Sequence, residues 1–141
     1  MKKIEYRCCD KFEKQFKKLI KKYRSLEEDL EIAKKFAIEA FHISKINNEA
    51  VFLIPKFDKK TVQIYKLKKF ACKALKGKGV RSGIRLIYAF YPKKFEVEFL
   101  EIYFQNYLKP KLKYISHQIQ PFEKVGEKIY SHIQYHLQSL R

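Results

Sequence analysis

Eight residues held between a glycine and a proline constrain this chain most. Ile84–Tyr91 reads Ile-Arg-Leu-Ile-Tyr-Ala-Phe-Tyr and lies between Gly83 and Pro92. The run is dense in β-branched and aromatic side chains and too short for a stable helix, so it predicts a strand. A second run of the same kind, Val97–Phe104, follows after Pro92-Lys93-Lys94. Two such strands across a short turn-forming link pair antiparallel.

The flanking segments extend this nucleus. Val62, Ile64, Tyr65 and Leu67 mark a strand over about 62–70 that joins the pair, and residues 2–7, with Ile4 and Tyr6 on one face, add a short further strand. Ala50–Ile54 is apolar and is stopped by Pro55, which fits an edge strand. Asp10 with Glu13 three residues on reads as a helix start, and Phe12, Phe16, Leu19, Ile20 and Tyr23 follow at helical spacing, so a helix is expected over 10–22. Ser25-Leu26-Glu27-Glu28 is a full capping box, and Leu26, Leu30, Ala33, Ala37, Ala40 and Phe41 form the stripe of a second helix over 26–44. The two or three residues between these helices make them an antiparallel hairpin. Phe122, Val125, Ile129, Ile133, Leu137 and Leu140 predict a C-terminal helix over 122–139. The expected class is α+β: a small antiparallel sheet, an N-terminal helical hairpin on one face, and a C-terminal helix. With 141 residues and 46% hydrophobic composition the chain is one domain's worth, organised as a core over 1–106 and an extension of the same domain over 107–141.

Charge is distributed unevenly. Residues 1–24 carry ten Lys and Arg against three acids, 25–58 four against seven, 59–94 twelve against none, and 95–141 six against five. A Lys-rich composition accounts for the net charge of +17, but not for a 36-residue stretch without one acid. Such a stretch repels itself and favours a polyanionic partner, either nucleic acid or an acidic protein. Inside it, Gly77, Gly79 and Gly83 punctuate Lys73, Lys76, Lys78 and Arg81. Backbone amides of a glycine-rich turn beside cations suit phosphate. The spacing is not that of a Walker loop, since no Gly-Lys-Ser/Thr follows. The loop feeds the strand carrying Arg85, whose planar fork suits bidentate phosphate binding; the alternative is an outward-facing residue on a half-solvated sheet.

Other constellations carry less. Cys8, Cys9 and Cys72 are an odd, small set without zinc spacing, and read as small buried hydrophobes. His132 and His136 share a helical face, but no third ligand accompanies them; His42 and His117 stand alone as polar or half-buried residues. There is no Gly-x-Ser-x-Gly elbow. No metal or cofactor is expected. The longest apolar run is too short to span a membrane and Met1–Arg7 lacks a signal-peptide core, so the expectation is a cytoplasmic chain without a membrane partner.

In this order, Leu75-Lys-Gly, then Gly-x-Arg-x-x-Tyr (here Gly83-Ile-Arg-Leu-Ile-Tyr88), then the apolar strand Val97–Phe104, preceded by the Lys-rich helix of Phe12–Glu28, the sequence resembles the RelE/ParE superfamily of type II toxin–antitoxin toxins over about residues 3–106. The resemblance implies a sheet whose concave face is the working surface. It implies a ribosome-dependent endonuclease that cuts mRNA by attack of the RNA's own 2′-OH on the adjacent phosphorus, inhibiting translation. Arg85 matches the strand arginine and would clamp the phosphate; Lys76 and Lys78 sit near the family's catalytic lysines; Arg81, with Lys69 and Lys73, would hold RNA. The family often places arginine, histidine or tyrosine at the end of the last strand, where this chain has Tyr103-Phe104-Gln105-Asn106-Tyr107. Tyr103 would then donate a proton and Tyr107 stack on a base, or the reverse. The partners implied are an acidic antitoxin protein, the ribosome and mRNA. Relatives of the ParE kind act on gyrase instead, and a non-catalytic basic nucleic-acid-binding module is the further alternative.

Overall fold

The computed structural model describes residues 2–105, apart from the side chains at 56–58. The elements run β1 (Glu5–Cys8), α1 (Asp10–Lys22), α2 (Leu26–Ala33), a π-helical segment (Lys34–Glu39), α3 (Ala40–His42), β2 (Val51–Asp58), β3 (Gln63–Leu67), β4 (Ile84–Tyr91) and β5 (Glu96–Phe104). The strands form one five-stranded sheet in the order β1-β5-β4-β3-β2. The α+β class, the central strand pair and the helical hairpin are as expected. The C-terminal helix and Tyr107 lie outside the described residues.

Three expectations are corrected. The sheet is not wholly antiparallel: β2 to β5 form an antiparallel meander, but β1 pairs with β5 in parallel, Glu5 opposite Glu96 and Cys8 opposite Phe99. A parallel neighbour requires a long crossover. Here the helices and three strands lie between β1 and β5, and after that path β5 runs in the direction of β1. The second helix is not uniformly α-helical, because Lys34–Glu39 winds as a π-helix. The Asn48 side-chain amide donates to the carbonyls of Phe36 and Ala37 at 3.1 and 3.2 Å and so supports the widened turn. The start of α1 is capped by Cys9, whose Sγ accepts from the Phe12 amide at 3.4 Å. Asp10 and Glu13 stand inside the first turn, where they complement the helix dipole.

The edge expected at Ala50–Pro55 is β2, and it continues through Pro55 to Asp58. Its pairing with β3 slips between Leu53 and Asp58. A proline has no amide to give a ladder, so this is where an edge strand tolerates one.

The main core lies between the helices and one face of the sheet. Phe12, Leu26 and Ile38 of the helical layer pack with Leu67, Leu86, Tyr88 and Phe99, all nearly or fully buried. Phe99 stacks between Tyr6 and Phe12, with ring centroids 5.7 and 5.2 Å away. A slip in the β4–β5 register between Ile87 and Tyr88 leaves Leu100 as an extra residue on β5. That bulge keeps Val97, Phe99, Ile102 and Phe104 all on the helix side, although strict alternation would reverse the last two.

Candidate functional site

The opposite face of the sheet carries the candidate chemistry. Cross-strand register sets Arg85 beside Tyr103, and Ile87 between Lys66 and Glu101. The middle of this face is apolar and buried, with Ile54, Ile64, Ile87, Ala89 and Leu100 closed off from solvent. Lys66 and Glu101 flank this middle, both buried, and Arg85 and Glu98 stand toward its two ends.

At one end stands Arg85. The chain enters β4 through Gly83, which has φ +84°, a backbone state that a side chain would strain. The Gly83 carbonyl accepts from the Gln105 amide at 2.9 Å, which closes the ends of β4 and β5 on each other. Ser82 Oγ donates to the Phe70 carbonyl and accepts from the Ile84 amide at 3.1 Å, and Phe70 also bridges Arg81. Held on this frame, the Arg85 guanidinium donates from Nη1 to the Lys68 carbonyl at 2.9 Å and the Ile84 carbonyl at 3.3 Å, and from Nη2 to Gln105 Oε1. Arg85 is half-buried, and burial lowers its pKa, with Tyr103 acting in the other direction. None of its acceptors carries formal charge. Among the described residues Arg85 is thus a partly desolvated cation bonded to neutral acceptors.

The basic loop that precedes β4 divides into a fastened neck and an open tip. Ser25 does not serve as the cap the sequence implied. Its hydroxyl donates to Asp29 at 2.7 Å and accepts from the Ala74 amide at 2.8 Å, while the Asp29 carboxylate accepts from the Lys73 amide at 3.2 Å. Glu28, the other half of the expected capping box, pairs with Lys73 Nζ at 2.5 Å. Sequence signals that read as local helix caps thus fasten a segment nearly fifty residues away. Beyond it Lys76 and Lys78 are exposed and form no ion pair among the described residues. Gly77 (φ +79°) and Gly79 (φ +51°) supply the turns between them.

Of the residues expected in the site, the structure sets Arg85 and Tyr103 side by side, Tyr103 buried. Arg81, Lys76 and Lys78 stand exposed on the loop that leads into Arg85. It draws two others aside: Lys73 is paired with Glu28, and Lys69 lies 3.7 Å from Glu49, so part of their charge is already answered within the chain. Sequence reasoning missed Gln105 and the Lys68 carbonyl, which orient Arg85. It also missed two carboxylates on the same face. Glu101 is buried and pairs with Lys11 at 2.8 Å. Glu98 accepts from Tyr91 Oη at 3.1 Å beside Arg7, and burial raises its pKa.

The cysteines correct one expectation and fit another. Cys9 and Cys72 are buried, whereas Cys8 is exposed; burial raises the pKa of all three thiols, Cys9 to about 11. His42 is buried at the margin of the core rather than half-buried, with Nε2 2.9 Å from Tyr88 Oη. Among the described residues no group of three His, Cys, Asp or Glu could hold a metal ion, and no helix is long and apolar enough to cross a membrane.

No family model matches the chain, and no curated protein gives a significant match. Among solved structures, a chain of the archaeal RelE–RelB complex from Pyrococcus horikoshii OT3 is similar, at 14% identity and a TM-score of 0.45, over 74% of this chain and 98% of that one.

Proposed function

We propose that this chain is the toxin of a type II toxin–antitoxin pair, acting as a ribosome-dependent mRNA endonuclease and held inactive by an acidic antitoxin. The observation that carries the reading is Arg85, a half-buried guanidinium whose partners among the described residues are all neutral, inside a stretch with twelve cations and no acid. The order of motifs in the sequence supports the same reading. In the proposed reaction the RNA 2′-OH attacks the adjacent phosphorus, the 5′-oxygen leaves, and a 2′,3′-cyclic phosphate forms. Arg85 holds a non-bridging oxygen and stabilises the charge that grows there. Tyr103 donates the proton taken by the leaving oxygen, and Lys76 or Lys78, on the exposed loop tip, takes the proton from the 2′-OH in its neutral amine form. Arg81 holds a neighbouring phosphate, and Lys69 and Lys73 contact RNA on releasing their carboxylate partners. Exposed lysines and a fixed arginine suit a site completed only when the ribosome presents RNA in an attack-ready geometry.

Expression of the chain alone, and together with any small acidic protein found encoded beside it, is the primary test. Growth arrest relieved by that protein, together with cleavage of a ribosome-programmed mRNA, is the expected result. Arrest with DNA damage and intact mRNA would transfer the assignment to a gyrase-directed toxin, and no arrest would leave a basic binding module.

A further inference from the structure

A second concavity lies far from Arg85, on the helix side of the sheet at the opposite end of β3 and β4. It has a volume of about 420 Å³, within the usual size of small-ligand sites. Its floor is aromatic: Phe41, His42, Tyr65 and Phe90 line it. His42 stacks on Phe90 with ring centroids 3.9 Å apart and meets Tyr65 edge-on at 4.8 Å, and Phe41 meets Tyr65 edge-on at 5.5 Å. Burial and the nearby Lys45 charge hold the His42 pKa down at about 4, so this ring is neutral near pH 7. The rim is polar, with Gln63 on one side and Lys45 on the other.

Two features select the class of ligand. Lys45 is the one charged side chain lining the cavity among the described residues, and no carboxylate lines it. An aromatic box for a cation would lack that lysine, so the box favours an anion joined to a flat ring. The rim is also preformed. Lys45 on the rim, and Glu49 beyond it in the same loop, adopt left-handed backbone angles, φ 58° and 57°, states that non-glycine residues hold when surrounding contacts enforce them. Asn47 Oδ1 accepts from the Glu49 amide and Asn48 Oδ1 from the Ala50 amide, while the Asn48 amide group clips the loop to the π-helical segment. Ile46 is 54% exposed at the mouth, an apolar side chain left in water beside an aromatic cavity.

The geometry points to a binding site for a small aromatic carboxylic acid, its ring against Phe41, Ile46 and Pro92 over the buried floor of His42, Tyr65 and Phe90, and its carboxylate on Lys45. The site is independent of the nuclease reading, since it shares no residue with the Arg85 end.

The full chain contains no tryptophan, so indole-3-acetate is a clean fluorescent probe when excited at the red edge of indole absorption. Saturable quenching or a saturable rise in anisotropy is expected. Lys45→Met should weaken binding about tenfold, the scale of one charge-assisted hydrogen bond. Lys14→Met removes the same charge from the exposed face of α1 and should leave affinity unchanged. On the unaltered protein, 3-methylindole, which keeps the ring and lacks the carboxylate, should bind about tenfold more weakly or worse. Absence of saturation overturns the proposal. So does an equal loss in Lys14→Met and Lys45→Met, which would mean attraction to net charge alone, and so does equal binding of 3-methylindole.

Discussion

Replacing Arg85 separates the chemical role proposed for it from its structural work, and both magnitudes follow from its surroundings. A preorganised donor on developing charge is worth roughly 10²–10³ in rate, about 2.7–4 kcal/mol, so Arg85→Ala should lower the single-turnover cleavage rate by at least about 10²-fold. The same change removes hydrogen bonds to the Lys68 and Ile84 carbonyls and to Gln105. At about 0.5–1.5 kcal/mol each, and with the group half exposed, the stability loss should be about 1–3 kcal/mol. A domain of this size holds roughly 5–15 kcal/mol, so the variant should melt several degrees earlier yet remain folded at 25 °C. Arg85→Lys keeps the charge and loses the fork, and should fall between wild type and alanine in rate. On the proposed reading ribosome affinity should change much less, because Lys76, Lys78 and Arg81 would still meet phosphates. The assay is cleavage of a ribosome-programmed mRNA by a variant whose melting curve is recorded alongside. A folded Arg85→Ala protein that cleaves at the wild-type rate would falsify the assignment. An unfolded one would make Arg85 a structural residue, tying β4 to the ends of β3 and β5.

Other outcomes follow from the rest of the structure. Phe99→Ala empties the stack between Tyr6 and Phe12 and should cost about 3–5 kcal/mol in urea unfolding; a loss below 1 kcal/mol would mean that the helices do not pack as described. Ser25→Ala should cost about 1–2 kcal/mol and, more tellingly, speed amide exchange at Lys73 and Ala74 over the rest of the chain. The His42 pKa is held near 4 in the folded chain against an ordinary 6.5, so the unfolded state binds the extra proton between these values and stability falls as pH drops from about 6.5 toward 4. The full effect is of order 3 kcal/mol, and wild type minus His42→Gln in urea melts at pH 7 and pH 4.5 should reveal it free of the carboxylates; parallel pH profiles would refute the buried neutral ring.

The central strands were legible because Gly83 and Pro92 bracket an apolar run whose composition admits little else. The helical hairpin was legible because apolar residues recur at helical spacing on both sides of a short link. The direction of β1 was not, since parallel or antiparallel pairing depends on the path between strands and not on the residues within them. Arg85 stood out as an arginine in an apolar strand. Its neighbour Tyr103 reaches the same face only through the bulge at Leu100, and no period-two pattern announces a bulge. Lys69 and Lys73 looked identical to Lys76 and Lys78 in sequence. What separates them is the position of Glu49 and Glu28, acids twenty and forty-five residues away, which only the fold brings near.

The fastened neck of the basic loop has a consequence for engineering. Ser25 and Asp29 grip residues 73 and 74, and the Phe70 bridge to Arg81 closes the other side. Residues between these clasps can therefore lengthen without disturbing the sheet, since doubling a flexible loop adds only about 0.6 kcal/mol of closure entropy. A short epitope spliced between Gly77 and Lys78, where a side chain on Gly77 would meet open space, should give a folded chain that can be captured, labelled or tethered. Such a chain would also report whether the spacing of the two lysines matters to its activity.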